Sequence, residues 1–206
     1  SACLVGSEMC IRDSCKDAAE GELMVTPLLA EIKETLGSVV YSTNDQELHE
    51  VCAALLREHG MTLAAAESCT GGMIASKLIS VPGISEYFLE GAVTYSNEAK
   101  MRRLGVKRET LEAHTAVSEA VAREMAEGVR ATSGASLGLA TTGIAGPDGG
   151  TAERPVGLVY IALAGAKGTA VRELHLSGNR ERIRNAASLN ALDLLRRYLC
   201  GSLTNC

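Results

Sequence analysis

The chain has 206 residues, a formal net charge of −5, 46% hydrophobic and 3% aromatic residues, with a pI of about 5.5 and a mean hydropathy of +0.09. That balance fits a soluble globular domain plus an extension. It argues against a large nucleic-acid footprint, which needs basic patches and stacking aromatics. No window supplies the roughly 18 apolar residues of a membrane span, and the opening residues lack a basic leader before an apolar core. The expectation is therefore a cytoplasmic protein acting on a small molecule, with no nucleic acid and no membrane as partner.

Residues 1–24 mix cysteine, charge and glycine without periodicity. The stretch CLVGSEMCIRDS within them is similar to a translated adapter fragment that recurs at the ends of metagenomic gene models. They read as an unstructured extension that need not belong to the natural protein. Residues 25–44 predict a short helix and a strand-like piece, so residues 1–45 stand apart from a domain at 46–200 and a tail at 201–206. Asp45 is expected to cap a helix whose Leu48, Val51, Cys52, Leu55 and Leu56 share one face, and Gly60 to end it.

Thr62, Leu63 and three alanines predict a short buried strand that breaks into Glu67, Ser68, Cys69, Thr70, Gly71 and Gly72 before a helix over 73–80. A strand stopping where a helix starts aims free N–H groups and the positive end of the helix dipole at that junction, so an anion is expected there. Pro82 and Gly83 stop the helix. A second strand runs from Phe88 to Tyr95, Asn97 caps a short helix carrying Lys100, and Ser118 caps a longer one with Val121, Met125 and Val129 facing inward. Residues 136–142 form a strand that enters the glycine-dense loop GIAGPDGGT, and Val156–Leu163 reads as a strand buried on both faces. A further strand at 169–176 and a helix from about Arg180 to Leu199, with Ile183, Ala187, Leu194 and Tyr198 inward, close the domain. Alternating helices and strands with one hairpin near the end predict an α/β fold, a three-layer α/β/α sandwich with a mixed sheet.

Common motifs are missing. There is no GxGxxG, no GxxxxGK[ST], no GxSxG around Ser68 and no SxxK. The seven cysteines form no CxxC pair, and the four histidines form no HExxH. Reduced thiols are expected, with no disulfide framework, no metal site and no cofactor.

What remains is a set of blocks: ESCTGG at 67–72, GAVTYSNEAK at 91–100, AVSEAVAREMAEGVR at 116–130, TTGIAGPDGG at 141–150, RPVGLVYIA at 154–162 and SGNRERIR at 177–184. In this order they resemble the CinA C-terminal domain family over roughly residues 46–199, and residues 25–44 are similar to the segment that links this domain to a preceding one in longer members. Members are nicotinamide-nucleotide amidases (PncC), which hydrolyse nicotinamide mononucleotide to nicotinate mononucleotide and ammonia in pyridine nucleotide salvage. The resemblance implies Ser68 as nucleophile, with Tyr95 and Lys100 as its partners.

Amide hydrolysis needs a nucleophile, a base, an acid for the leaving ammonia and donors for the oxyanion. Lys100 could serve as the base directly if burial kept it neutral, or as a cation lowering the pKa of a Tyr95 phenolate; sequence does not separate the two. Candidate oxyanion donors are the backbone at Thr70, Gly71, Gly72, Thr142 and Gly143, while Gly146 permits close approach to a ligand. Arg180 and Arg184, four apart, either clamp the substrate phosphate or face solvent. Glu67 is structural or ligand-positioning, and Cys69 a small buried filler. Rival readings are a non-catalytic nucleotide-binding or regulatory module, and a serine amidase acting on another carboxamide. Oligomeric state is not readable from the residues, although the resemblance is compatible with a homodimer.

Overall fold

The organising strand is β1 (Leu63–Glu67), whose five residues are all buried. Its side chains alternate between two layers, as a pleated strand requires. Leu63 and Ala65 join one apolar cluster with Leu137, Leu139, Val159 and Ile161, while Ala64 and Ala66 join another with Ala140, Ala162 and Ala164. The computed structural model describes residues 15 to 202. Within them a five-stranded sheet runs in the order β2-β1-β3-β4-β5, with β2 at Phe88–Val93, β3 at Leu137–Gly143, β4 at Leu158–Gly165 and β5 at Gly168–His175. β1 is parallel to both neighbours, and β3-β4 and β4-β5 are antiparallel. This is the mixed sheet expected from the alternation of elements.

One face of the sheet is covered by α2 (Leu48–Glu58), α3 (Met73–Ile79) and α7 (Arg180–Leu199). The other is covered by α4 (Asn97–Leu104), α5 (Arg108–His114) and α6 (Glu119–Ser133). The second face is lined by alanine and glycine because α6 lies close against it. A β-carbon on Gly138 would stand 2.1 Å from Ala126 O, and one on Gly128, in α6 itself, 1.9 Å from Leu104 O. The α/β/α sandwich is therefore asymmetric, with large aliphatic side chains under α7 and small ones under α6.

Several elements differ from the sequence expectation. Residues 18–36 form one helix, α1 (Ala18–Leu36), capped by Asp17, whose side chain accepts from Glu20 N–H. It takes in residues 18–24, expected to be unstructured, and extends through the short helix expected within 25–44, while residues 37–39 form a 3-10 turn and residues 40–44 no strand. α1 buries none of its residues, so it needs no core-facing stripe, and periodicity had nothing to report. The expectation for residues 1–14 and 203–206 lies outside the described residues. α2 is capped by Glu47 rather than Asp45, through a capping box in which Glu50 accepts from Glu47 N–H at 2.8 Å. Ser96, not Asn97, caps α4 by accepting from Ala99 N–H. The short α5 buries only Leu111 and left no pattern in the sequence.

β1 leads into α3 on one face, and β2 leads into α4 on the other. Adjacent parallel strands whose exits diverge open a crevice at their carboxyl ends, where ligands bind in open α/β sheets. Ser68 follows β1 at that crevice, and Thr94 and Tyr95 follow β2. Among the described residues no helix is long and apolar enough to cross a membrane.

Candidate active site

Glu67 ends β1 on the α3 side. Its carboxylate accepts from the backbone N–H groups of Gly72, Ile74 and Ala75 at 2.9, 3.2 and 2.9 Å. The anion expected at this helix start is thus the chain's own side chain. Glu67 is a cap that holds the 68–72 turn. The turn itself needs Gly71 at φ +60° and Gly72 at φ +93°, backbone conformations that favour glycine.

The next residue, Ser68, points to the opposite face and meets α4. Lys100 Nζ lies 3.1 Å from Ser68 Oγ and donates to Thr94 O at 2.9 Å and Tyr95 O at 3.2 Å. Lys100 is 1% exposed and Ser68 8%. Removing an amine from water disfavours its charged form, and this burial holds the Lys100 pKa below its ordinary value. The structure therefore brings Ser68 and Lys100 together, but not the Tyr95 hydroxyl. The Tyr95 ring is 65% exposed, and its hydroxyl accepts from Arg180 Nη2 at 3.5 Å. Tyr95 reaches Lys100 only through its main-chain carbonyl.

Arg180 also donates to Gly146 O at 2.7 Å, so it spans the rim between the end of β2 and the glycine-dense loop. Arg184 donates from Nε to Cys69 O at 3.0 Å and from Nη2 to Thr70 O at 2.9 Å. Neither arginine merely faces solvent, and the two are not equivalent: Arg184 braces the turn behind Ser68, whereas Arg180 stands exposed at the mouth. Thr70 and Thr141 share a hydrogen bond between their hydroxyls at 2.8 Å, and Thr142 Oγ1 donates to Ala116 O at 2.7 Å. All three threonine side chains are committed to the scaffold.

The candidate oxyanion donors sort in the same way. Gly71 N–H donates to Ser68 O and Gly72 N–H to Glu67, so neither is spare. In the antiparallel ladder alternate residues turn to the same side. Ile144 N–H bonds Leu158 O, hence Thr142 N–H turns to β4 and Gly143 N–H turns back towards the end of β1. Beside Ser68, the Cys69 thiol is 5% exposed, and its burial pushes its pKa up to about 11. At neutral pH it is a protonated filler. Cys15, Cys52, Cys69 and Cys200 are free thiols, and among the described residues no three His, Cys, Asp or Glu side chains converge as a metal site.

Sequence reasoning missed Thr94, whose carbonyl holds Lys100 and whose position opposite Ser68 appears only in the strand register. Two surface hollows lie elsewhere. One, of about 540 Å³, is lined by the end of α6 and the β4-β5 hairpin, at the end of β3 opposite Ser68; the other, of about 360 Å³, lies beside residues 40–46.

A family model described as CinA C-terminal domain matches residues 45–199. The chain belongs to this family. It is 58% identical over 180 residues to a protein of Acetivibrio thermocellus whose name reads competence-damage inducible protein, covering 87% of this chain and 44% of that one. A CinA-like protein of Kosmotoga olearia is 51% identical over 184 residues, covering 89% of this chain and 44% of the relative. This CinA-family chain thus spans about half the length of the curated relatives it matches. Among solved structures, the competence/damage inducible protein CihA of Agrobacterium tumefaciens superposes with a TM-score of 0.70 at 40% identity, over 75% of this chain and 96% of that one. A CinA superfamily protein of Klebsiella pneumoniae gives 0.72 at 35% identity, over 76% and 99%.

Proposed function

We propose that this chain is a serine amidase that releases ammonia from nicotinamide mononucleotide, with Ser68 as nucleophile and Lys100 as its base. The observation that carries this reading is the 3.1 Å approach of Lys100 Nζ to Ser68 Oγ, with two carbonyls on the amine's other side. A neutral amine has two N–H bonds and one lone pair. Its N–H bonds go to Thr94 O and Tyr95 O, which leaves the lone pair facing the Ser68 hydroxyl. Of the two roles open to Lys100 in the sequence, this geometry favours the direct one, because the Tyr95 hydroxyl is elsewhere.

Ser68 Oγ attacks the carboxamide carbon as its proton moves to Lys100 Nζ. Charge gathers on the former carbonyl oxygen, and Gly143 N–H is the backbone donor best disposed to meet it. The C–N bond then breaks while Lys100 returns the proton to the nitrogen, and ammonia leaves. Water attacks the acyl-serine by the same route in reverse, giving nicotinate mononucleotide and free Ser68. We assign the substrate phosphate to Arg180 at the mouth, and to Arg184 the bracing of the Ser68 turn.

The test is ammonia release by the purified chain from nicotinamide mononucleotide and a panel of other carboxamides. Ser68→Ala should abolish turnover while nucleotide binding persists. Ser68→Ala with near-native turnover would overturn the assignment. Faster release from another carboxamide would move the substrate, and nucleotide binding without any release would favour a binding module.

A further inference from the structure

Among the described residues one buried side-chain polar atom lacks a hydrogen-bond partner, and it is Thr94 Oγ1. Thr94 is 1% exposed. Nearly all such atoms in protein interiors are paired, since an unpaired buried hydroxyl costs stability, so an exception calls for a reason.

Its place in the sheet shows what it stands beside. Val93 is in register with Glu67, and Thr94 N–H donates to Glu67 O at 2.9 Å, so Thr94 lies next to Ser68 across the β1-β2 ladder. Glu90 of β2 reaches Arg103 of α4, and side chains two and four residues further on, Ala92 and Thr94, project to the same face. Ser68 projects there as well, because its Oγ meets Lys100 of α4. Ser68 and Thr94, each one residue past its strand, are thus neighbours across a spacing of about 4.8 Å, with both side chains on the face covered by α4.

We propose that the Thr94 hydroxyl is a further group of the active site, a donor held without a partner at rest that turns onto Ser68 Oγ as this oxygen attacks. The proposal rests on the serine-amidase reading above. At rest Ser68 Oγ is neutral and shares its hydrogen with Lys100. As the O–H bond breaks towards Nζ and the bond to the carboxamide carbon forms, negative charge passes through Oγ, and Thr94 O–H gains its hydrogen bond there. The Thr94 proton stays on Thr94; the proton that moves is that of Ser68, which Lys100 carries to the departing nitrogen. A contact made in the transition state and absent in the ground state lowers the barrier, where a contact present in both only tightens binding. The same contact serves again when Ser68 Oγ leaves the acyl-enzyme.

The experiment compares the full chain with Thr94→Val, which keeps shape and removes the hydroxyl, and Thr94→Ser, which keeps the hydroxyl. Three quantities are read: the thermal midpoint, kcat and KM for ammonia release from nicotinamide mononucleotide, and the rate at which a fluorophosphonate labels Ser68, followed by intact mass. Thr94→Val should melt at or above the wild-type midpoint, because an unpaired buried hydroxyl is gone. It should lose about ten-fold in kcat, the rate equivalent of one hydrogen bond made only in the transition state, with KM unchanged and labelling slowed to match. Thr94→Ser should restore both rates. Thr94→Val with wild-type kcat and wild-type labelling overturns the proposal and leaves the amidase reading standing. If the wild type releases no ammonia yet is labelled, the substrate reading fails, and the labelling ratio alone upholds or overturns Thr94. A wild-type Ser68 that reacts with neither nucleotide nor probe overturns both.

Discussion

Glu67→Gln tests whether this residue caps α3 or holds substrate. The carboxylate receives Gly72 and Ile74 N–H on Oε2 and Ala75 N–H on Oε1. A glutamine offers one acceptor oxygen, so whichever way its amide turns, at least one of these N–H groups faces an NH₂. Losing one to two bonds to a charged acceptor costs about 1.5–3 kcal/mol each, with partial compensation. Removing negative charge from the helix start adds roughly 0.3–1 kcal/mol. The expected loss is about 2–4 kcal/mol, or a drop of roughly 5–15 °C in thermal midpoint for a domain of this size. Urea unfolding followed by circular dichroism should show a lower midpoint at an unchanged slope. KM for the nucleotide should hold, and kcat should fall, since the cap sits next to Ser68. Wild-type unfolding together with a KM raised many-fold would refute the capping argument and return Glu67 to the ligand.

Three further outcomes follow from the same contacts. Burial holds the Lys100 pKa below its ordinary value, so between the folded and the unfolded pKa the unfolded chain binds more protons, and stability rises with pH across that window. kcat/KM should climb as pH rises through the folded pKa and then level off while stability is still rising, and Lys100→Met should collapse the rate and flatten the rise in stability, read from urea midpoints at a series of pH values. Tyr95→Phe removes a hydroxyl that meets only Arg180, at 3.5 Å, so kcat should change by no more than a few-fold; a collapse matching that of Ser68→Ala would restore the phenolate as base. Deleting residues 1–36 should leave the thermal midpoint nearly unchanged, since α1 buries nothing. Extending the deletion through residue 41 removes the Ser38 carbonyl that accepts from buried Arg196 at 2.7 Å, a charge-assisted bond of about 1.5–3 kcal/mol, and the midpoint should then fall visibly.

The elements that pack on the core were legible where their residues had to keep a period. α7 over Arg180–Leu199, the Ser118 cap of α6 and the buried run of β4 all impose patterns on neighbouring positions. α1 was not legible because it has no core to face, and the Asp45 cap was misplaced because Asp45 and Glu47 both carry a carboxylate at the right approach, a choice made by the reciprocal bond from Glu47 N–H to Glu50.

By itself the sequence determined that a small-residue strand ends in Ser68 beside a glycine turn, that a lysine rides on the first turns of a helix after the second strand, and that the blocks follow the order of the CinA C-terminal domain family. Tertiary structure decided what each group meets. Ser68 and Lys100 are separated by 32 positions and Arg184 lies 115 from Cys69, so their encounter depends on strand register and on which face each exit takes. Those are properties of pairing between distant segments, and no local pattern encodes them. The same register moved the Tyr95 hydroxyl out to the rim and set an unpaired Thr94 hydroxyl next to Ser68, whereas the Glu67 cap is a local contact with residues 72–75.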